Sequence, residues 1–483
     1  MLPSGCPSTD KAPWAVRFGV VRSFPLFGVA ALLSLNAAVL IAPAAVVSAE
    51  REPEMRVLLH EGKHLILRAD GSLPMQVRGL PGGVRALQRL ELRLGSRGLG
   101  VLMDGTRTWL AAGTALQVEN DDPRGIWLGQ RRYRGALQIS SRGGQMRVVN
   151  QLGIETYLAS VVGSEMPHQW PLAALQAQAV AARTYALRQK GRGGGWDVKA
   201  TVASQVYKGV ESETASTREA VDSTRALVLV HGGRLIDAVF HSSSGGMTEA
   251  SGMVWRQQLP YLVSVPDHDH HSPVHSWQKR FDAKTLRARL PETGGLVDVS
   301  VLTRSASGRV RQARIQGPRG SLVLSGRELR RRLGLKSTLV NFELVSGPIQ
   351  SRPSLQTQLK PLPAIQVSTP VSSGSRSRID LITASVAASP PQSAHVLRLP
   401  VSTMRPNTSQ TLPQGSVQLL VRGQGFGHGV GMSQWGAHGL AQQGADFRTI
   451  LRHYYKGADV VPFKRYFDPS LARPLSPAPP WRG

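Results

Sequence analysis

Thiols are almost absent from this chain: Cys6 is the only cysteine among 483 residues. That excludes a disulfide framework and any zinc site built from several cysteines. Acidic residues are scarce as well. Asp and Glu number 31 against 58 Lys and Arg, a formal net charge of +27. Yet no long basic block occurs, and the cations are spread from Arg51 to Arg482. A dispersed excess attracts polyanions in general, including the anionic polymers and lipids of an envelope, or is simply a solvated basic surface. It does not specify nucleic acid, and no recognised nucleic-acid motif accompanies it. Aromatic residues make up only 6%. What is present is a globular composition, with 41% hydrophobic and 18% charged residues, too apolar for a wholly disordered chain. Gly 50 and Pro 32 call for many turns and some linker. The length suits about two to three domains.

Residues 1–49 read as an export segment. Arg17 and Arg22 precede Ser23 to Ala49, a stretch with no charged residue. Val47-Ser-Ala49 before Glu50 suits a signal-peptidase site. Left uncleaved, the same apolar run is long enough to serve as a membrane anchor. Either way the rest of the chain is expected outside the cytoplasm, in the cell envelope. Cys6 precedes the apolar run, so the exported portion has no thiol.

The expected fold class is α+β, strand-rich, with a central Ala-rich helix, a glycine-rich C-terminal motif and a disordered insertion. Residues 50–150 hold short β-type runs, Met55–Leu59, Leu65–Leu67, Arg132–Ile139 and Arg147–Val149. Residues 151–346 form the core segment. Its strong helix begins near Pro171, where a missing N–H costs nothing. Seven alanines fall between Ala173 and Ala186, and alanine is the best helix former. Gly191 and Gly193–Gly195 stop it. Ala226–Val230, Leu235–Phe240 and Val299–Leu302 read as strands. Residues 347–415 are the insertion: of the 63 residues 351–413, 27 are Ser, Thr or Pro, none is aromatic, and Asp380 is the only acid. Such a composition buries too little apolar surface to offset chain ordering. Order returns over 416–462, with a strand at Val417–Val421 and a helix carrying Phe447, Ile450, Leu451 and Tyr454. Asp446 would cap that helix and Gly457 stop it. The tail 463–483 is Pro-rich.

Four stretches have residues suited to chemistry. In Tyr157–Pro171, Glu165 follows an apolar run and precedes Met166-Pro167. The chain stays extended before a proline, which puts Glu165 at an expected strand-to-helix corner beside Val161, Val162 and Met166. Desolvation there would raise its pKa and suit it to act as a general acid on a glycoside. The plain alternative is a surface or capping carboxylate. In Gly423–Gly436, five of the nine residues 423–431 are glycine. There is no Gly-Lys-Ser/Thr ending and no dinucleotide spacing. Alternate glycines admit close backbone approach to a ligand or to another chain segment. His428 and Gln434 offer hydrogen bonds and Trp435 a flat face, a combination that holds sugars; a tight glycine-rich sheet edge with a structural histidine explains it equally.

The third stretch, Phe240–Glu249, has Ser with His but lacks a Gly-x-Ser-x-Gly elbow, so a polar turn is expected. The fourth, Asp267–His275, has four His and two Asp. Its spacing fits no standard zinc pattern, and a solvated loop is expected. No metal and no cofactor are assigned.

Taken together these segments resemble the SpoIID/LytB family. The resemblance rests on Val148-Val-Asn-Gln-Leu152, Glu155-Thr-Tyr-Leu158, Gly163-Ser-Glu-Met-Pro167 and Trp170-Pro171. It continues through Ala174–Ala186, Ser204-Gln-Val-Tyr-Lys-Gly209, His241-Ser-Ser-Ser-Gly-Gly246, Ser325–Arg330, Gly425–Ala437 and His453-Tyr-Tyr-Lys-Gly457. It implies cleavage of peptidoglycan glycan strands stripped of stem peptides, with Glu165 as the catalytic acid. Arg183, Gln205, Tyr207, His428, Gln434 and Trp435 lie in the matching motifs and are expected to bind substrate. Two residues depart from the family pattern. Ser244 stands where a Cys of a His/Cys zinc site often occurs, and Phe426 replaces a common Trp.

Two functions compete. One is a lytic transglycosylase cutting between N-acetylmuramic acid and N-acetylglucosamine. The other is a non-catalytic peptidoglycan-binding protein that recruits or stimulates an N-acetylmuramoyl-L-alanine amidase. The expected partners are glycan strands and, on the second reading, a cell-wall amidase. Nucleic acid is not among them, and a membrane is one only if the leading segment stays uncleaved.

Overall fold

The computed structural model describes residues 52–346, apart from 72, 104 and 112, and residues 417–463. All belong to one compact unit, Glu52–Gly483. The export segment, the insertion and most of the Pro-rich tail lie outside the described residues.

The fold is α+β and strand-rich, and its strands gather into sheets around two cores. A seven-stranded sheet runs Val198–Lys199, Glu54–Gly62, Gln145–Gly153, Ala136–Arg142, Leu116–Glu119, Met75–Leu80, Gly83–Leu87 in spatial order. A six-stranded sheet, from Arg131–Tyr133 to Thr106–Trp109, includes His64–Arg68 and Arg89–Gly95. The period of two is plain: Leu65 and Leu67 point inward while His64 and Arg68 are exposed. Met55, Val57, Leu67, Leu90, Leu92 and Val101 are fully enclosed in the first core. Burying such a side chain stabilises by about 1.5–3 kcal/mol.

One expected strand divides. Arg132–Ile139 breaks into Arg131–Tyr133 and Ala136–Arg142, which join different sheets. Gly135 makes the turn with φ +80, and a Cβ there would lie 2.3 Å from the Gln151 carbonyl oxygen. Leu235–Phe240 likewise keeps strand pairing only at its ends, Arg234–Leu235 and Phe240–His241. Between them the Asp237 carboxylate accepts from Arg188 at 2.6 Å.

Eight helices are described: α1 (Ile154–Glu165), α2 (Leu172–Gln189), α3 (Ala215–Asp222), α4 (Ser251–Val254), α5 (Ala283–Arg289), α6 (Gly326–Leu333), α7 (Gln434–Gln442) and α8 (Phe447–Tyr454). The apolar run before Glu165 is therefore a helix, and the corner at Glu165 is helix-to-helix. Met166, held extended at φ −130 by the proline after it, ends α1. Pro171 sits one place before the first residue of α2. The alanines of α2 allow α1, α3, α7, α8 and the Leu227–His231 strand to pack around it. At α8, Asp446 caps by accepting from the Thr449 N–H at 2.7 Å, and Gly457 follows with φ +67.

A second core contains Phe281, Leu286, Ile315, Leu329, Leu333, Leu419 and Val421. Around it lie α5, α6 and two three-stranded sheets, one of them Ser276–Phe281, Val417–Gln424, Leu339–Ser346 in spatial order. Ser346 and Val417 are cross-strand partners, so the insertion leaves and re-enters at one end of a strand pair. Strand Val417–Gln424 then runs directly into the glycine-rich motif.

Candidate active site

Glu165 is the last residue of α1 and is partly exposed. Its Oε1 accepts a hydrogen bond from the Val206 backbone N–H at 2.7 Å. Its Oε2 accepts from Gln434 Nε2, on α7, at 3.4 Å. Burial pushes the Glu165 carboxyl above the ordinary carboxylate range. The Val206 N–H, the Gln434 amide and the positive Lys208 pull the other way without cancelling it. The result is a carboxyl that holds its proton more tightly than usual yet has donors ready for its anion.

An aromatic cluster begins at the residue after Gln434. Trp435 follows Gln434, and its ring lies 4.7 Å from that of Trp170 in an edge arrangement. The His438 ring is 4.7 Å from Trp170 and 5.5 Å from Trp435. Trp435 and His438 share one side of α7 by their i, i+3 spacing. Trp170, Trp435 and His438 are all partly exposed. Neither Trp170 nor His438 was picked out as a site residue by the motif reading. Trp170-Pro171, three residues after the Glu-Met-Pro segment, was the available signal.

Three expected substrate-binding residues take other positions. Arg183 is 1% exposed, and its Nε and Nη2 donate to the two carboxylate oxygens of Glu155 at 3.0 and 2.6 Å. Its Nη1 donates to the Leu227 carbonyl. Arg183 therefore ties α2 to α1 and to a strand, with its guanidinium occupied by protein partners. Gln205 is fully buried, accepting from the Tyr157 hydroxyl at 3.1 Å and donating to the Ala182 carbonyl at 3.2 Å. Tyr207 is 2% exposed, and its hydroxyl donates to Asn150 Oδ1 at 2.8 Å. Gln205 and Tyr207 flank Val206 and anchor into the core on either side of it. The Lys208 N–H adds a bond to the Ser164 hydroxyl at 3.2 Å. The Ser204–Gly209 motif thus acts as a clamp that holds one N–H against Glu165.

His428 lies on the glycine-rich loop that leads to α7. Its ring is 5.4 Å from both His241 and Trp255, and its Nδ1 accepts from the Val430 N–H at 3.0 Å. Burial, with Arg330 and Arg309 nearby, holds its pKa down to about 4. The alternating glycines serve chain packing. At Gly431 a Cβ would meet the Val239 carbonyl oxygen at 2.1 Å; at Gly429 it would meet the buried Arg309 guanidinium at 2.5 Å.

The polar turn at Phe240–Glu249 is enclosed, with the His241 Nε2 and Ser244 hydroxyl 2.9 Å apart. The expectation of a solvated loop at Asp267–His275 needs correction for its aspartates. Asp269 is fully buried, accepting from the Ser243 hydroxyl and the N–H groups of Gly245 and Gly246. Asp267 accepts from the Tyr454 hydroxyl at 2.6 Å. These carboxylates brace the Ser-Gly-Gly turn, whereas His270 and His271 are exposed. Among the described residues no group of three or more metal-binding side chains is placed to hold an ion, and no described helix is long and apolar enough to cross a membrane.

Comparison with known proteins bears on the same residues. The family model described as "Stage II sporulation protein" matches residues 142–231, which include Glu165 and its Val206 clamp. An uncharacterized protein of Brachyspira hyodysenteriae is 29% identical over 353 residues, 72% of this chain and 78% of that protein. The amidase enhancer of Bacillus subtilis is 31% identical over 312 residues, 63% of this chain but only 40% of the enhancer. The stage II sporulation protein D of Bacillus amyloliquefaciens is 27% identical over 346 residues, 67% of this chain and 79% of that protein.

Proposed function

The chain belongs to the SpoIID/LytB family, and from that premise we propose that it remodels peptidoglycan as a lytic transglycosylase. Its substrate on this reading is a glycan strand already stripped of stem peptides. The observation that carries the proposal is Glu165, a carboxyl whose pKa burial raises, held between two hydrogen-bond donors, one of them the neighbour in sequence of the aromatic Trp435.

Protonated Glu165 gives its proton to the oxygen linking N-acetylmuramic acid to N-acetylglucosamine. The bond from the muramic C1 to that oxygen breaks, and the freed sugar leaves with the proton. The carboxylate left behind is held by the Val206 N–H and the Gln434 amide. It then takes the proton of the muramic 6-hydroxyl as that oxygen bonds to C1, closing a 1,6-anhydro ring. Glu165 ends protonated, as it began. The nucleophile comes from the substrate, so one carboxyl serves where most glycosidases need two. Trp170 and Trp435 offer faces on which the C–H surfaces of neighbouring sugars pack. Such a substrate lies outside the cytoplasm, in keeping with the export segment read in residues 1–49.

A second reading has its own support in the likeness to the Bacillus subtilis amidase enhancer. On that reading the protein binds peptidoglycan and stimulates an N-acetylmuramoyl-L-alanine amidase without cutting glycan. One experiment separates the two. Purified protein is incubated with amidase-treated sacculi, and anhydro-muramic products are sought by mass spectrometry. The transglycosylase reading expects products from wild type and none from Glu165→Gln. Equal release from both sinks it. No release from wild type, with amidase activity raised on addition of either protein, favours the enhancer.

A further inference from the structure

A groove of about 530 Å³ lies on the second core, and none of its lining residues belongs to the Glu165 site. Its floor is the solvent face of the sheet formed by Ser276–Phe281, Val417–Gln424 and Leu339–Ser346. The register aligns polar side chains across that face. Gln278, Arg422 and Asn341 form one cross-strand row, and Ser276 and Gln424 begin the next. All five are exposed. Three strands at ordinary spacing make the first row about 10 Å long. Arg304 completes the wall and fixes Asn341 by donating to its Oδ1 at 2.8 Å.

This lining has a distinct chemistry. Amides and a hydroxyl outnumber the two guanidiniums, and no carboxylate lines the groove. A densely charged polyanion would meet too few cations, and Leu339, Val340 and Trp277 give the lining an apolar share beside its polar groups, a mixture that suits a sugar's C–H faces and hydroxyls together. Amide-rich lining suits hydroxyl and N-acetyl groups, and a guanidinium suits one carboxylate at intervals. Arg422 does pair with Glu343 at 3.3 Å, but both side chains are more than half exposed. Such a pair is weak, and the guanidinium can turn to a ligand. Trp277 lies on the opposite side of its strand from Ser276 and Gln278, and its ring packs over Gly423, where a Cβ would sit 2.2 Å from it. Its indole N–H donates to the Gly425 carbonyl at 2.8 Å. The groove is thereby tied to the loop that leads on to Gln434 and Glu165.

We propose that this groove is a second binding site for a glycan strand with periodic free carboxylates, gripping the strand at a distance from Glu165. The assignment rests on the peptidoglycan reading above and adds to it a site for the uncut part of the strand. A stem-peptide-free muramic residue carries such a carboxylate on its lactyl group.

The test uses the full chain bearing Glu165→Gln, so that no strand is cut, and soluble glycan fragments from amidase-treated sacculi. Affinity is measured by calorimetry for this parent, for added Arg422→Glu, and for the added pair Gln278→Ala and Asn341→Ala. Circular dichroism checks that these surface variants fold. The expected result is about tenfold weaker binding in each, the loss of one or two polar contacts, with binding of dextran sulfate unaffected by the Gln278/Asn341 pair. Unchanged affinity in both variants overturns the proposal. So does a loss confined to Arg422→Glu and shared with dextran sulfate, since that is charge attraction alone. Wild type that releases no anhydro product while groove variants still lose affinity would refute the transglycosylase reading and leave the groove standing.

Discussion

Gln434 donates to Glu165 across 269 residues of sequence, linking the start of α7 to the end of α1. This bond favours the anion of Glu165, so its loss has a predictable sign. Gln434→Leu removes a donor, and the Glu165 carboxyl then holds its proton to higher pH. The bond is long at 3.4 Å, so the expected rise is small. It is read as an upward shift in the alkaline limb of the pH profile of product release. A fall in rate with no movement of that limb would show that Gln434 does not act on Glu165.

Glu165→Gln tests the same carboxyl through stability. Burial raises the folded-state pKa above the ordinary 4.5. Between those two values the folded chain holds a proton that the unfolded chain has lost. Stability therefore falls as pH rises through that window, so a carboxyl at this position costs the fold more at higher pH than at acid pH. Glutamine has nothing to ionise. Glu165→Gln should melt higher than wild type near neutral pH, and the gap should close as pH falls below 4.5. Urea unfolding at several pH values measures this, and a gap independent of pH would contradict it.

Arg183 is predicted to matter for folding and not for sugar affinity. Replacing it with alanine strands the buried Glu155 carboxylate at the start of α1. Breaking a buried pair in that way costs about 3–5 kcal/mol. Arg183→Lys should recover little, because one ammonium cannot reproduce the two-pronged contact. Denaturant midpoints give the cost. Glycan affinity per folded molecule, measured below the unfolding transition, should match wild type; a specific loss of affinity would return Arg183 to the cleft.

The contrast between Glu165 and Arg183 shows what could be read from residue order. Glu165 sits before Met-Pro, and the bias against helical backbone before proline ends α1 there, with Met166 extended. The Ala-rich α2 and the capped α8 were legible for similarly local reasons. Arg183 was not, because a cation inside a motif demands a partner without saying whether that partner is Glu155 or a ligand. Gln205 and Tyr207 misled in the same way: their side chains anchor a segment whose useful group is the Val206 N–H, which any residue but proline supplies. The helical form of Ile154–Glu165 was missed because nearly all of its sides are buried, which leaves no clear amphipathic period.

His241 and His428 should make the protein acid-sensitive in a defined window. Burial holds His428 at about 4 and His241 well below the ordinary 6.5, and Arg309 and Arg330 act on both rings in the same direction. Between pH 6.5 and about 4 the unfolded chain binds protons at these rings that the folded chain refuses. Stability is therefore lost as pH falls through that range, on the order of 3 kcal/mol from His428 when complete. Two other groups of carboxyls can be told apart from this effect. Asp122, Asp269 and Glu328 have lowered pKa values, so their contributions disappear only below the ordinary carboxylate range. Glu165 acts in the opposite direction, restoring stability as pH drops. Urea midpoints taken from about pH 7 down to about pH 4.5 should fall steadily for wild type and less steeply for His428→Asn, which has no ring to protonate. Parallel slopes for the two proteins would mean that His428 is not the group responsible.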